Sequence, residues 1–174
     1  MALENHSDIS CLIIVMMTHG DQGGILYTFD SIINVEELWR PFTGDKCTSL
    51  IGKPKLYFIQ ACRGQMVDPG ALLESSYQVK NALASRSAKC EKLFQKEKFV
   101  IPALADILIF FSTTEGYYSY KSPEAGSWFI QTLCDTFTKF LSSDEEVDLM
   151  RILTAVKRHV AYSFQAHDPG NYCK

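Results

Sequence analysis

The sequence predicts an α/β protein in which helices flank a mostly parallel sheet. Three short apolar runs carry this prediction: "CLIIVMM" at 11–17, "KLYFIQA" at 55–61 and "DILIFFS" at 106–112. Each run is continuous rather than alternating, and each is bounded by Gly, Pro or polar residues. This pattern is typical of strands that are covered on both faces, as in a parallel sheet between helices.

Three stretches with helical signals lie between and after these runs. "NVEELWRPF" at 34–42 has Asn34 as a candidate N-cap, with Glu37 three residues later. In "SWFIQTLCDTFTKFL" at 127–141, the apolar positions at helical spacing are Phe129, Leu133, Phe137 and Phe140 or Leu141. "SDEEVDLMRILTAVKRHVAYSF" at 143–164 opens with a capping box from Ser143 to Glu146. Its apolar stripe consists of Leu149, Leu153, Val156, Val160 and Phe164.

Composition and charge narrow the class of protein. A chain of 174 residues that is 47% hydrophobic and 21% charged is large enough for one domain with a sizeable core. The net charge of −3 argues against nucleic acid or an acidic membrane surface as the main partner. The polar and acidic start "MALENHSDIS" does not resemble a signal peptide. We therefore expect a cytoplasmic protein that does not act on membranes.

Cysteine and histidine spacing gives no sign of a metal site. None of the six cysteines forms a CxxC pair, and the four histidines show no ligand spacing with them. We expect reduced thiols and no structural zinc.

The segment 69–100 differs from the rest because it is polar, basic and weakly periodic. We expect an exposed connector there, which divides one domain into a part at 1–68 and a part at 101–174.

The carboxyl ends of the predicted strands gather the residues that carry chemistry. The first run is followed by "THGDQGG", which contains His19 and Gly20, and the second ends at Cys62 in "QACRGQ". If the strands are parallel, these residues lie at one edge of the sheet. An imidazole beside a thiol generates the nucleophilic thiolate, and the amides of Gly20 and Cys62 are candidate donors to an oxyanion.

The same residues are also compatible with purely structural roles. A cysteine at a strand end is often core packing, and a histidine in a glycine-rich turn is often a surface residue. "GDQGG" as a phosphate-binding loop is a weak alternative, because no Lys-Ser/Thr follows it.

A longer motif favours the catalytic interpretation. "QACRG" at 60–64, with a histidine upstream, is a local signature of caspases. "THGDQGG", "LIGKPKLYFIQACRG", "IPALADILIFFSTTEGYYSY" and "GSWFIQTLC" resemble caspase segments in the family's order and cover most of residues 5–165. The sequence is thus similar to a caspase peptidase domain. The resemblance implies a three-layer α/β sandwich, a cysteine endopeptidase that cleaves after aspartate in apoptosis or related signalling, and no metal or cofactor.

The resemblance also implies a role for individual residues. Cys62 matches the nucleophile, His19 the general base and acid, and the backbone amides of Gly20 and Cys62 the oxyanion hole. Gln60 matches a residue that lines the pocket for the substrate's aspartate. The residues matched to the walls of the outer substrate pockets are Tyr118, Ser119, Tyr120 and Trp128. The implied partners are protein substrates with aspartate before the cut bond, and a caspase relative in a homodimer or heterodimer.

Several positions depart from the family pattern. Lys121 stands where the family has an arginine that grips the substrate's aspartate, and lysine lacks the planar fork that fits a carboxylate. We find no counterpart of the family's first two strands, which carry a second arginine, or of its last strand. Residues 69–105 contain no aspartate, so Asp68 is the nearest candidate for cleavage in the connector.

These departures leave open two alternatives. One is a catalytically weak or inactive homologue that binds and modulates an active caspase. The other is a related peptidase that cleaves after arginine or lysine, which Gln60 and the long match of the aromatic loop disfavour.

Overall fold

The structure, a computed structural model, describes residues 4–71, 100–143 and 146–164. In chain order, its strands are β1 (Leu12–Met17), β2 (Gly20–Asp21), β3 (Ile25–Tyr27), β4 (Ile32–Asn34), β5 (Lys55–Gln60), β6 (Ile107–Phe111), β7 (Lys121–Ser122) and β8 (Gly126–Ser127). Its α-helices are α1 (Glu36–Trp39), α2 (Trp128–Leu141) and α3 (Leu149–Ser163). Of the connector expected at 69–100, residues 72–99 lie outside the described residues.

The main sheet is parallel, with strand order β1-β5-β6. These are the three strands predicted from the apolar runs, so that prediction and the α/β class are confirmed. Two smaller antiparallel sheets, β2-β3-β4 and β7-β8, follow the carboxyl ends of β1 and β6. They were not predicted, because segments of two or three residues are too short to show a period.

One face of the main sheet packs against α2 and α3. Its buried core consists of Phe58, Phe110, Phe129, Leu133, Leu153 and Val156. Phe58 makes edge-to-face contacts with Phe110 and Phe137, at centroid distances of 6.3 and 6.2 Å. The helical stripes predicted for α2 and α3 supply most of this core, whereas Leu141 is 75% exposed.

The opposite face packs against α1 and the small sheet β2-β3-β4. Leu26 and Ile59 are buried there, and Met16 and Leu38 pack against them. Leu12 belongs to a separate buried cluster with Phe42, Cys47 and Leu50. The sheet therefore lies between two layers, as the sequence predicts.

β1 differs from the prediction of a strand covered on both faces. Ile13, Val15 and Met17 are 54%, 52% and 60% exposed and alternate with buried or half-buried neighbours. Val15 pairs with Phe58 of β5, so it points to the helical face of the sheet. There α2 and α3 pack against β5 and β6, and in the described chain they leave β1 uncovered.

Two predicted helix starts are corrected. The helix predicted at 34–42 is a single turn, Glu36–Trp39, that continues as the 3₁₀ turn Arg40–Phe42, because Pro41 has no N–H for a longer helix. The N-cap is Val35, not the predicted Asn34. The Asn34 side chain nevertheless accepts from the Glu36 N–H at 3.0 Å, and Glu37 accepts from the Asn34 N–H at 2.9 Å.

The last helix starts at Leu149 with Asp148 as its cap, not at the predicted Ser143–Glu146 box. Instead, the Ser143 hydroxyl donates to the Phe140 carbonyl at 2.7 Å, at the end of α2. None of the helices in the described parts of the chain is long and apolar enough to cross a membrane.

Candidate active site

His19 and Cys62 stand at equivalent places beyond two neighbouring strands. Met17, the last residue of β1, pairs with Gln60, the last residue of β5. The Thr18 N–H then donates to the Gln60 carbonyl at 3.0 Å. His19 and Cys62 are each two residues past this last pair, so the parallel register brings them to the same edge of the sheet.

Glycine at position 20 allows the two chain segments to touch. A Cβ atom on Gly20 would lie 2.5 Å from the Cys62 carbonyl oxygen and 3.0 Å from the Ala61 Cβ. Any side chain there would therefore push the histidine segment away from the cysteine segment.

The amides predicted to bind an oxyanion have no competing partner in the described chain. The His19 carbonyl accepts from the Tyr27 N–H at 2.9 Å, so the next pair of β2 and β3, Gly20 with Leu26, is a non-hydrogen-bonded pair. The Gly20 N–H consequently points away from β3. Cys62 lies beyond β5, and no described residue accepts from its N–H.

The Cys62 thiol is half-buried against the backbone of Ser119. The Ser119 N–H donates to Sγ at 3.4 Å, and Sγ lies 3.7 Å from the Ser119 carbonyl oxygen. The imidazole of His19 is exposed, and it makes no hydrogen bond within the described chain. The sulfur is thus held in place, while no hydrogen bond from the described chain fixes the orientation of the imidazole.

Gln60 is held by hydroxyl groups on both sides. Its Nε2 donates to the Ser119 Oγ at 2.8 Å, and its Oε1 accepts from the Ser127 Oγ at 2.6 Å. The Ser119 hydroxyl donates in turn to the Ser112 Oγ at 2.7 Å. Gln60 is only 7% exposed, so this network fixes its amide in one orientation. Ser112 and Ser127 were not predicted from the sequence.

Ser127 is also the N-cap of α2. Its Oγ accepts from the Ile130 N–H at 3.1 Å. The start of α2, the end of β5 and the loop after β6 are thereby joined through one serine and one glutamine.

A cleft of about 1290 Å³ lies beside this network. Tyr118, Ser119, Tyr120 and Trp128, all predicted to bind substrate, line it together with Asp68. His19, Gln60 and Cys62 are not among its lining residues. Burial raises the pKa of Tyr120, and the nearby Cys62, Tyr118 and Asp68 raise it further.

Three stacked aromatic rings form one wall of the cleft. Trp128 stacks on Tyr120 at a centroid distance of 5.4 Å and on Phe164 at 5.1 Å. The sequence pattern assigned Phe164 to the core stripe of α3. In the structure it is the residue that ends this helix, so its ring reaches the cleft.

Lys121, like Gln60, is a predicted substrate-binding residue that does not line the cleft. It is exposed. Its backbone pairs with Ser127 across the β7-β8 hairpin, so it lies opposite the residue that holds Gln60.

Comparison with known proteins identifies the family of this chain. The family model of the caspase domain matches residues 1–173. Caspase-7 of Gallus gallus is 39% identical over 170 residues, which are 97% of this chain and 51% of that protein. Caspase drICE of Drosophila melanogaster is 36% identical over 168 residues, which are 97% of this chain and 45% of that protein.

A solved structure agrees with these relatives. The crystal structure of caspase-1 from Spodoptera frugiperda is similar with a TM-score of 0.78 and 38% identity, over 98% of this chain and 57% of that chain. This chain spans about half the length of the curated relatives that it matches. Because the family model and these relatives cover nearly all of its residues, the chain belongs to the caspase family.

Proposed function

We propose that this chain forms the catalytic centre of a cysteine endopeptidase that cleaves peptide bonds after aspartate. Its substrates are proteins in apoptosis or a related signalling pathway, and it acts in the cytoplasm as a dimer with itself or a caspase relative. The observation that carries the proposal is the equal offset of His19 and Cys62 beyond the paired strands β1 and β5. The proposal also divides the chain into 1–68 and 101–174, with a connector at 69–100.

The reaction follows from the groups at this edge of the sheet. His19 takes the thiol proton, and the Cys62 sulfur attacks the carbonyl carbon of the substrate. The negative charge that forms on the carbonyl oxygen is bound by the N–H groups of Gly20 and Cys62. The C–N bond then breaks as the protonated His19 gives its proton to the leaving amine. Water, activated by His19, hydrolyses the resulting thioester and restores the thiol.

Recognition of the substrate's aspartate is assigned to Gln60 and Lys121. The hydroxyl network around Gln60 presents a fixed, neutral polar group to a carboxylate. Lys121 supplies the positive charge from the hairpin that pairs with Ser127. A lysine makes a weaker and less directional bond to a carboxylate than arginine, by about 1–3 kcal/mol. We therefore expect a preference for aspartate that is modest compared with that of an arginine site.

The test is hydrolysis of fluorogenic peptides that end in Asp, Asn, Glu or Arg by the purified full chain. We expect the fastest hydrolysis after aspartate, and we expect Cys62→Ala and His19→Ala to abolish it. Cys134→Ala is the matched control, because Cys134 is an exposed cysteine within α2 and does not lie at the edge of the sheet where β5 ends.

Activity that survives in Cys62→Ala, or that is as fast after arginine as after aspartate, would contradict the proposal. A folded but inactive chain would favour the second candidate, a homologue that binds and modulates an active caspase. The lysine at position 121, where the family has an arginine, is the feature that favours that candidate.

A further inference from the structure

Arg63 follows the candidate nucleophile directly and has no part in the reaction described above. Its side chain is 22% exposed, and its guanidinium lies 3.9 Å from the centre of the Phe111 ring. Nη2 forms an ion pair with Oε2 of Glu115, while Nε is buried without a hydrogen-bond partner in the described chain. A cation held this way, between an aromatic ring and a carboxylate, has little freedom to move.

Glu115 uses its second oxygen for a different segment. Its Oε1 accepts from the Gly23 N–H at 2.7 Å. Gly23 lies in the turn between β2 and β3, with a φ of 72°, which favours glycine. One carboxylate therefore joins the residue after Cys62 to the turn that follows His19 and Gly20.

The loop that carries Glu115 is itself fixed to the cysteine segment by backbone bonds. The Arg63 N–H donates to the Tyr117 carbonyl at 3.0 Å, and the Gly116 N–H donates to the Arg63 carbonyl at 2.7 Å. Gly64 packs so closely on Gly116 that a Cβ atom would overlap the Gly116 backbone. The two loops thus form one unit, and Glu115 extends from this unit to the histidine side.

The turn that Glu115 reaches is held from its other side by the last residue of β4 and the residue that follows it. Asn34 Nδ2 donates to the Gly23 carbonyl at 2.9 Å, and the Val35 N–H donates to the Gly24 carbonyl at 2.7 Å. Gly23 is therefore held between Asn34 and Glu115. Loss of the carboxylate would leave the turn bonded to Asn34 and Val35 but would remove its bond to the loop that is fixed to the cysteine segment.

We propose that Glu115 is a positioning residue that sets the placement of His19 relative to Cys62. This inference rests on the proposed function, since it concerns the same pair of groups. Glu115 is 47% exposed, and without it Arg63 keeps its contact with the Phe111 ring, so we expect only a moderate loss of folding stability. The arrangement of two reacting groups, by contrast, is sensitive to small displacements. Removal of the carboxylate is therefore expected to change the chemistry much more than the stability.

The test measures the rate at which iodoacetamide alkylates Cys62 as a function of pH, together with kcat and KM for an aspartate peptide, in the full chain. In the wild type we expect fast alkylation that extends to low pH and that His19→Ala removes. In Glu115→Ala we expect the profile to move toward that of His19→Ala, kcat to fall about 10- to 100-fold, and KM to stay nearly constant. Glu115→Gln keeps an oxygen for the Gly23 N–H, so it should retain most of the wild-type profile.

Glu36→Ala is the matched control. Glu36, the first residue of α1, forms another Glu–Arg ion pair with Arg40, and the two side chains are 50% and 59% exposed. Its removal should change neither the alkylation profile nor kcat. Thermal melting of each variant establishes that it is folded. If Glu115→Ala does not fold, Glu115→Asp replaces it, because the shorter side chain keeps the charge but withdraws from Gly23, and kcat should fall to an intermediate value.

The outcomes separate the two proposals. A His19-dependent profile in the wild type that is unchanged in Glu115→Ala, or in Glu115→Asp where that variant replaces it, overturns the positioning role alone. A wild-type profile that does not depend on His19 overturns both the positioning role and the proposed function. An equal loss of kcat in Glu36→Ala also overturns the positioning role, because the effect would then be a general one of surface charge.

Discussion

Tyr57 shows at the scale of one residue how burial determines titration. The side chain is 1% exposed in the middle of β5, and its hydroxyl has no hydrogen-bond partner among the described residues. Burial raises its pKa to about 12, and the nearby Cys47 adds to the effect. A buried hydroxyl without a partner is a cost to folding rather than a contribution to it.

We expect Tyr57→Phe to leave the free energy of unfolding at pH 7 unchanged or to raise it by up to about 1 kcal/mol. Near pH 10 the unfolded chain releases the Tyr57 proton, while the folded chain keeps it until about pH 12. Wild-type stability should therefore fall as the pH rises from 10 to 12, and the variant should lose less over that range. Urea unfolding at pH 7 and 11 measures both effects.

The control for this prediction is Tyr27→Phe, since Tyr27 is 38% exposed on β3. The free energy of unfolding of this variant should fall between pH 10 and 12 as much as that of the wild type. A Tyr57→Phe chain that loses stability above pH 10 as steeply as the wild type would contradict the proposed burial of the phenol.

At the scale of elements, the N-cap residues of α2 and α3 differ in the contacts they make. Both helices begin with a side chain that accepts from a backbone N–H: Ser127 from Ile130, and Asp148 from Met150 at 2.7 Å. Ser127 also donates to the buried amide of Gln60, whereas Asp148 is exposed. The α2 cap therefore belongs both to the helix and to the candidate aspartate pocket.

This difference predicts different results for the same kind of substitution. Asp148→Ala should cost about 1 kcal/mol of stability, the usual value for a helix cap, and leave kcat/KM unchanged. Ser127→Ala should cost about 1–3 kcal/mol more, because the Gln60 oxygen loses its partner in a buried place. It should also lower kcat/KM for aspartate peptides. Urea unfolding and peptide hydrolysis on both variants measure this, and equal effects on activity would contradict it.

The sequence could predict the elements that depend on their own residues, but not those that depend on contacts with other segments. β1, β5 and β6 were predicted because an apolar run of five to seven residues between Gly, Pro and polar residues reports burial by itself. The predicted start of α3 was wrong because Ser143 and Asp148 are both residue types that cap helices well. The Ser143 hydroxyl instead bonds to the Phe140 carbonyl at the end of α2, and Asp148 caps α3.

The candidate site was predictable only where sequence neighbours decide it. His19 and Cys62 follow directly from the strand ends and the family motif. The partners of Gln60 are 59 and 67 residues away in the sequence, and Gly23 and Glu115 are separated by 92 residues. No local pattern reports contacts of this kind, because they depend on which loops the fold brings together.

At the scale of the whole molecule, the two faces of β1 are unequal. Ile14 is half-buried and packs against the cluster of Leu12, Phe42, Cys47 and Leu50. Ile13 and Val15, on the other face, are more than half exposed. An exposed apolar face on a strand that pairs with only one neighbour in the described chain favours association between molecules.

Substitutions one residue apart should therefore affect different properties of the molecule. Ile13→Thr with Val15→Thr keeps β-branched side chains on an exposed face, so the free energy of unfolding should change by less than about 1 kcal/mol, while association decreases. Ile14→Thr places a hydroxyl against the buried cluster and should cost about 1–3 kcal/mol without reducing association. Urea unfolding gives the stability, and light scattering over a range of protein concentrations gives the association. If the double variant scattered light as strongly as the wild type, the exposed face of β1 would not be the source of association. If Ile14→Thr were as stable as the wild type, the packing assigned to the opposite face of β1, which carries Ile14, would be wrong.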